Sequence, residues 1–202
     1  MSSAVPQIVL ASQSATRVAV LRGAGLDFRA VPADVDERGI EDRLVAVGTA
    51  PADIALALAE AKALAVAADH PDALVIGADQ TLDAGGQRWH KAVSLEGARA
   101  QLLQLSGRTH HLRSAVVGVR GDDVRFRDVA TAALTMRTFG PAEVDAYLAE
   151  VGAIACTSVG AYQIEGPGIR LFERIEGDHF TILGLPLLPL LDWLRAEGAL
   201  AY

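Results

Sequence analysis

The side chains best suited to chemistry carry oxygens and cations, and most fall in the first half of the chain. The run Val75-Ile76-Gly77-Ala78-Asp79-Gln80-Thr81 is apolar until it meets a glycine and a carboxylate. It reads as a buried strand, with Asp79 where that strand leaves the core. In α/β sheets ligands gather outside the carboxyl ends of strands. A carboxylate there can hold a divalent metal or accept a proton from water; it can also simply cap a turn. Ser12, Ser14 and Arg17 fall in a strand-to-helix turn. Free N–H groups at a helix start favour anions, so two hydroxyls and a guanidinium there would complete a phosphate cradle, although N-capping is the ordinary account of the serines. Asp34, Asp36 and Glu37 form a compact acidic group. Magnesium is satisfied by one or two carboxylates plus phosphate oxygens, so one of these with Asp79 would suffice; most such runs are solvated loops. Lys62 lies on an Ala-rich helical stretch and Lys91 follows the turn after the Asp79 strand. Lysines usually decorate surfaces.

Other chemistries find less support. There is no Walker-type loop and no dinucleotide fingerprint. The five histidines lack zinc-ligand spacing, and His110-His111 would point to opposite sides of a strand. Cys156 is the single cysteine, which excludes an internal disulfide and a Cys-based zinc site, and it reads as a core thiol. Taken alone, the residues point to metal-dependent phosphate chemistry.

The 202 residues suffice for one large domain or two small lobes around one sheet. Hydrophobic residues are 51% and charged residues 21%, a globular balance with much of the apolar content in helix-favouring alanine. No apolar run approaches the roughly 20 residues of a membrane span, and no signal peptide is evident, so the expectation is a cytoplasmic protein without a membrane partner. The net charge of −7 argues against broad nucleic-acid binding. An acidic protein that binds phosphate must concentrate a few Arg and Lys locally or recruit a metal.

Stepping along the chain, strands are expected at 7–11 and 28–31, and a helix from the Ser12–Arg17 turn through Leu21. Asp34 to Glu37 reads as a loop. Pro51 opens a helix to about Ala68, and the Asp79 strand is followed by a Gly85-Gly86 turn. Ser94 caps a helix to about Leu105. Residues 111–119 and 124–136 read as a hairpin, Pro141 opens a helix to about Glu150, and a strand is expected over 168–175. A last helix follows Gly184-Leu185-Pro186. Alternating helices and strands with a later hairpin predict an α/β fold with a mixed sheet.

These segments resemble a known family. Leu10-Ala11-Ser12-Gln13-Ser14-Ala15-Thr16-Arg17 is similar to the L-A-S-x-S-P-R-R opening of the Maf family of nucleotide pyrophosphatases. Val35-Asp36-Glu37, Glu60-Ala61-Lys62-Ala63, Ile76-Gly77-Ala78-Asp79, His90-Lys91 and Leu105-Ser106-Gly107-Arg108-Thr109-His110 follow in the family's order. Gly160-Ala161-Tyr162, Glu165-Gly166 and Gly184-Leu185-Pro186 complete the pattern, from about Ile8 to Leu194. The resemblance implies a single Maf/ITPase-like domain over 1–202. Its two α/β lobes would surround an elongated mixed sheet with a cleft between them, commonly as a homodimer. It implies hydrolysis of a nucleoside triphosphate to monophosphate and pyrophosphate with a divalent metal, Mg²⁺ or Mn²⁺. By position, Asp79 would be the proton acceptor, Glu37 and Asp79 the metal carboxylates, and Ser12, Ser14, Arg17, Lys62 and Lys91 the triphosphate path.

The departures bear on specificity. Ala15 replaces the usual Pro, and Thr16 replaces an Arg of the dTTP/UTP branch. Gln80 and Glu165 replace that branch's Thr and Gln, and with Leu171-Phe172-Glu173-Arg174-Ile175-Glu176-Gly177 they look more like the 7-methyl-GTP branch. A carboxylate can accept two hydrogen bonds from a guanine edge, and N7-methylation adds positive charge to that base. Uracil and thymine offer one N–H between two acceptors, which suits a Gln amide better than an ionised Glu. The expectation is therefore a house-cleaning pyrophosphatase for modified nucleotides such as 7-methyl-GTP, with Thr16, Gln80 and Glu165 setting specificity. A dTTP/UTP pyrophosphatase and a nucleotide-binding division regulator with little turnover are the competing readings.

Overall fold

The computed structural model describes residues 5–202. In chain order the elements are β1 (Ile8–Ala11), α1 (Ala15–Gly23), β2 (Arg29–Ala30), α2 (Glu37–Ala46), α3 (Pro51–Ala67), β3 (Leu74–Ala84), β4 (Gln87–Trp89), α4 (Leu95–Leu105), β5 (Thr109–Arg120), β6 (Asp123–Met136), α5 (Pro141–Val151), β7 (Phe172–Glu176), α6 (His179–Ile182) and α7 (Leu187–Ala196). Short 3₁₀ turns cover Gly152–Thr157 and Pro167–Leu171. The strands form a mixed sheet in the order β2-β1-β3-β5-β6-β7, with β4 paired to β3. β1 runs parallel to β2 and β3, whereas β3–β4 and β6–β7 are antiparallel. The expected α/β fold with a mixed sheet is what the chain forms.

The chain divides into two compact units. The first takes the chain up to Gln80, with Arg113–Thr131 and Asp178–Tyr202. Side chains alternate across its strands, giving the sheet two buried faces. On one face Ile8, Leu10, Ile76 and Val116 pack with α1 and α7 through Leu21, Leu190, Trp193 and Leu194. On the other, Val9, Ala11, Val75, Ala115 and Val117 meet the alanine stripe Ala55, Ala59, Ala63 and Ala67 of α3. Pro51 stands at the first helical position of α3, where its missing N–H has no helical role.

Gly77 sets how closely α3 lies on β3. A Cβ there would collide with the Ala59 carbonyl oxygen and lie 2.8 Å from the Ala63 Cβ. Glycine opposite two alanines one helical turn apart lets helix backbone approach strand backbone.

The second unit comprises Thr81–Leu112 and Ala132–Gly177. Ser94 caps α4, accepting the Gly97 N–H at 3.1 Å. Gly85 and Gly86 both take positive φ (58° and 80°), the backbone a two-residue hairpin between β3 and β4 requires. The Ser106 hydroxyl donates to the Phe139 carbonyl and accepts the Phe139 N–H, both at 2.8 Å, which ties the end of α4 to the chain after β6. His110 is fully buried, with its Nε2 2.6 Å from the Tyr162 hydroxyl.

Four expectations are corrected. The strand does not end at Asp79 but runs to Ala84: Thr81, Leu82, Asp83 and Ala84 are all buried, and Lys62 meets the Asp79 charge. Asp34 to Glu37 is not all loop, because Asp36 accepts the Gly39 N–H at 2.9 Å and starts α2 at Glu37. The strand expected over 168–175 begins at Phe172, after a 3₁₀ turn opened by Pro167. Cys156 is half-buried on the Gly152–Thr157 turn rather than a core thiol.

Two outcomes test this packing. Gly77→Ala should destabilise by about 1–3 kcal/mol or more, because overpacking here meets backbone. At ~2–4 °C per kcal/mol for a chain of this size, calorimetry should show a clear fall in Tm. Gly23→Ala, where an added Cβ meets nothing within 4 Å, should melt close to the parent.

The second outcome concerns His110. Burial, then repulsion from His111, pushes its pKa from 6.5 down to about 4, with Asp83 opposing. The unfolded chain therefore binds the extra proton first. Stability should be unaffected by this group above 6.5, fall as the pH drops from 6.5 to about 4, and level off below that. The contribution is of order 3 kcal/mol. Denaturant titrations of His110→Gln should lack that slope.

Candidate functional site

The site grows from the packing of α3 on β3. Gly77 and Asp79 lie two residues apart on one face of β3, and the same close contact that Gly77 permits carries Lys62, between Ala59 and Ala63 in sequence, to the Asp79 carboxylate. Lys62 Nζ lies 2.7 Å from Asp79 Oδ1 and 2.8 Å from Glu37 Oε2. The Lys62 and Asp79 side chains are only 11% and 12% exposed, whereas Glu37 is 50% exposed. Two carboxylates thus share one buried ammonium, and Glu37 opens the cluster to solvent. Glu37 arrives as the first residue of α2, in the turn where a helix dipole favours negative charge.

Asp79 is not at the end of its own strand, but it lies just past the end of its parallel neighbour. The β1–β3 pairing closes at Ala11 opposite Gly77. From there the first chain turns through Ser12 and Ser14 into α1. Ser14 caps α1, its hydroxyl accepting the Arg17 N–H at 3.4 Å. Ser12 is buried, and its oxygen accepts from the Ser14 N–H at 3.2 Å and from Arg17 Nη1 at 3.4 Å. The first turn of α1 has amides with no intrahelical acceptor, as at any helix start.

Arg17 spans the unit. Its Nη1 donates to the Ala78 carbonyl at 2.9 Å and its Nε to the Gly184 carbonyl at 2.8 Å. Burial lowers its pKa, and the negative charges of Asp79 and Glu37 oppose that shift. A guanidinium anchored on two carbonyls adds positive charge at a fixed place beside the carboxylates. Gly184 takes φ +92°, which lets the 184–186 segment turn its carbonyl onto Arg17.

Gln80 and its surroundings look structural. Its Nε2 donates to Ser114 Oγ at 2.9 Å and to the carbonyls of Thr181 and Ile182 at 3.2 and 3.1 Å. The Ser114 hydroxyl donates to the same Thr181 carbonyl at 2.7 Å. Gln80 therefore clamps α6 onto β3 and β5. Thr16 is half-buried in the first turn of α1.

The remaining two residues belong to the second unit. Lys91 is exposed in the link from β4 to α4. Glu165 is exposed in a turn, and the arginines nearest in sequence are engaged elsewhere, Arg170 with Glu150 at 3.0 Å and Arg174 with Glu176 at 3.1 Å.

The sequence named the cluster's members but missed two structural causes. One is Gly77, whose signal was a glycine in a buried strand facing alanines on the preceding helix. The other is α2, hidden because its apolar residues leave no face fully buried.

The set is oxygen-rich and hard: two carboxylates, hydroxyls and a helix start. Among the described residues no group of three His, Cys, Asp or Glu gathers in metal-binding proximity. A two-carboxylate site completed by substrate phosphates suits Mg²⁺ or Mn²⁺ and does not suit zinc. No helix among the described residues is long and apolar enough to cross a membrane.

Comparison with known proteins fits this arrangement. The family model described as "Maf-like protein" matches residues 7–197. The chain is 58% identical to a protein of Mesorhizobium japonicum named 7-methyl-GTP pyrophosphatase, covering 96% of this chain and 98% of the relative. It is 55% identical to a protein of the same name from Rhizobium meliloti, over 96% of this chain and 98% of that one. A Rhodopseudomonas palustris protein named nucleoside triphosphate pyrophosphatase is also 55% identical, over 96% of this chain and 95% of the relative. A match across nearly the whole length, reached independently of the geometry above, shows that the chain belongs to the Maf family.

Proposed function

We propose that this protein hydrolyses a nucleoside triphosphate to the monophosphate and pyrophosphate, as a house-cleaning enzyme whose preferred substrate is a modified guanine nucleotide such as 7-methyl-GTP. The observation that carries the reading is the buried Lys62 shared by Asp79 and Glu37, in a chain of this family. Asp79 accepts the proton of the attacking water, which adds to the α-phosphorus as pyrophosphate departs. Lys62 orients the Asp79 carboxylate through the 2.7 Å hydrogen bond and supplies positive charge where phosphate oxygens become more negative. Ser12, Ser14, the first amides of α1 and Arg17 bind phosphate oxygens, and by its position in the family pattern the exposed Lys91 also binds phosphate.

Asp79 and Glu37 would hold a divalent cation, Mg²⁺ or Mn²⁺, and their pairing with a single ammonium leaves net negative charge to attract it. When bound, such an ion offsets charge on the phosphates. Thr16 and Glu165 are the residues we assign to base selection. Glu165 has the better chemistry for it, as an exposed carboxylate that can accept from a guanine edge. Gln80 bears on selection through the clamp it makes on α6, because its amide nitrogen is committed to three acceptors. A cytoplasmic location and a homodimer belong to the same reading.

Substrate-panel kinetics on canonical and methylated triphosphates, with pyrophosphate and orthophosphate measured separately, test the activity. Asp79→Asn should lower kcat by about 10²–10⁴-fold while nucleotide still binds, since the amide keeps the shape without accepting a proton. Turnover near the parent rate in that variant would overturn the assignment.

Stability tests the same contact without substrate. Lys62→Met strands a buried carboxylate and should cost roughly 3–5 kcal/mol. Adding Asp79→Asn should recover part of that loss, with a coupling of about 1–3 kcal/mol in a double-mutant cycle. Additive losses would mean that the two side chains do not depend on one another.

A further inference from the structure

In the second unit, the chain from Thr157 to Leu171 contains no strand or α-helix, yet its conformation is heavily determined. Ala161 takes φ 59°, the one non-glycine residue with positive φ among the described residues. A Cβ at Gly160 would collide with the Tyr162 ring, and one at Gly168 with the Gln163 carbonyl oxygen. The Ser158 hydroxyl donates to the Tyr162 carbonyl at 2.6 Å, and Gln163 Nε2 donates to Thr157 Oγ1 at 3.0 Å. A left-handed alanine persists only where its surroundings over-determine it, and such strain gathers where a segment must be held for use.

Tyr162 is the anchor. It is 5% exposed, with its ring edge-on to Phe172 at 4.7 Å and its hydroxyl 2.6 Å from His110 Nε2. The other ring nitrogen of His110 is buried and has no hydrogen-bond partner among the described residues, so Tyr162 is the ring's single polar link. Burial raises the Tyr162 pKa and lowers that of His110 to about 4, which keeps this a hydrogen bond between neutral groups at neutral pH. Immediately after the anchor comes the turn Gln163-Ile164-Glu165-Gly166, whose exposed carboxylate has Arg170 and Arg174 occupied by other acids.

We propose that Tyr162 is a positioning residue for base selection: its hydroxyl, locked onto buried His110, fixes the turn that presents Glu165. The inference rests on Glu165 reading the base. Loops that bind are held by rigid scaffolds, and a small misplacement of a polar contact is costly to recognition. Removing the hydroxyl would leave His110 without a polar partner and let the turn wander, while the carboxylates around Lys62, on other elements, keep their own contacts.

The test combines kinetics with hydrogen exchange. In Tyr162→Phe, KM for 7-methyl-GTP should rise about tenfold more than KM for dTTP, with kcat changed by about twofold or less. Amides of residues 163–166 and of Gly168 should exchange about tenfold faster, and those of β1 and β3 at the parent rate. An even loss on both nucleotides, or a turn that exchanges as in the parent, would overturn the proposal. Ala161→Gly removes one buried methyl and frees the backbone at the left-handed position while leaving Tyr162 and His110 intact, and should reproduce the KM effect in weaker form should the phenylalanine variant fold poorly. Glu165→Gln separates the two readings. An unchanged nucleotide ranking in that variant removes Glu165 from the base, whereas the exchange rates of Tyr162→Phe judge the anchor on their own.

Discussion

Lys62 Nζ lies within hydrogen-bonding distance of carboxylates from two other segments, and both it and Asp79 are almost withdrawn from water. Placing charges there is costly unless each finds a partner, so three segments must arrive together: the middle of β3, the inner face of α3 and the start of α2. Much of the first unit serves that meeting. The alanine stripe of α3 and the bare Gly77 bring helix and strand close enough for a lysine stem to lie buried with its head on Asp79. Asp36 caps α2 so that Glu37 is delivered at its first position. Without the close approach, Lys62 would be one more exposed lysine.

That dependence explains which parts of the structure were legible in the sequence. Pro51, Ser94, Pro141 and Gly85-Gly86 mark element boundaries through local backbone chemistry, and their elements stand where those signals put them. The strand through Asp79 is longer than its sequence suggests, because a charge in an apolar run looks like an exit from the core. Its partner lies 17 residues away on a helix, a tertiary fact that periodicity does not carry. Only the acidic stretch Asp34 to Glu37 reads as loop, and the rest of α2 carries no periodic signal because the helix has no fully buried side chain. For the site, family resemblance named Glu37, Lys62 and Asp79 together. Residue types alone would have left Lys62 among ordinary surface lysines.

The polar residues of the site divide by what already holds them. Arg17 and Gln80 spend donors on carbonyl oxygens within the first unit, so each braces the fold. Ser12 and Ser14 order the turn that leads into α1 and in doing so aim its amides. Glu37 is different, because half of its side chain stays in contact with solvent. Within the first unit, then, the cations Lys62 and Arg17 are fixed by their own partners, whereas Glu37 stays open to solvent.

The central claim is that water activated at Asp79 attacks the α-phosphorus. Hydrolysis of 7-methyl-GTP in water labelled with heavy oxygen, followed by mass spectrometry of both products, tests it most directly. The account predicts one labelled oxygen in the nucleoside monophosphate and none in the pyrophosphate. Label in the pyrophosphate, or release of orthophosphate in its place, would contradict it.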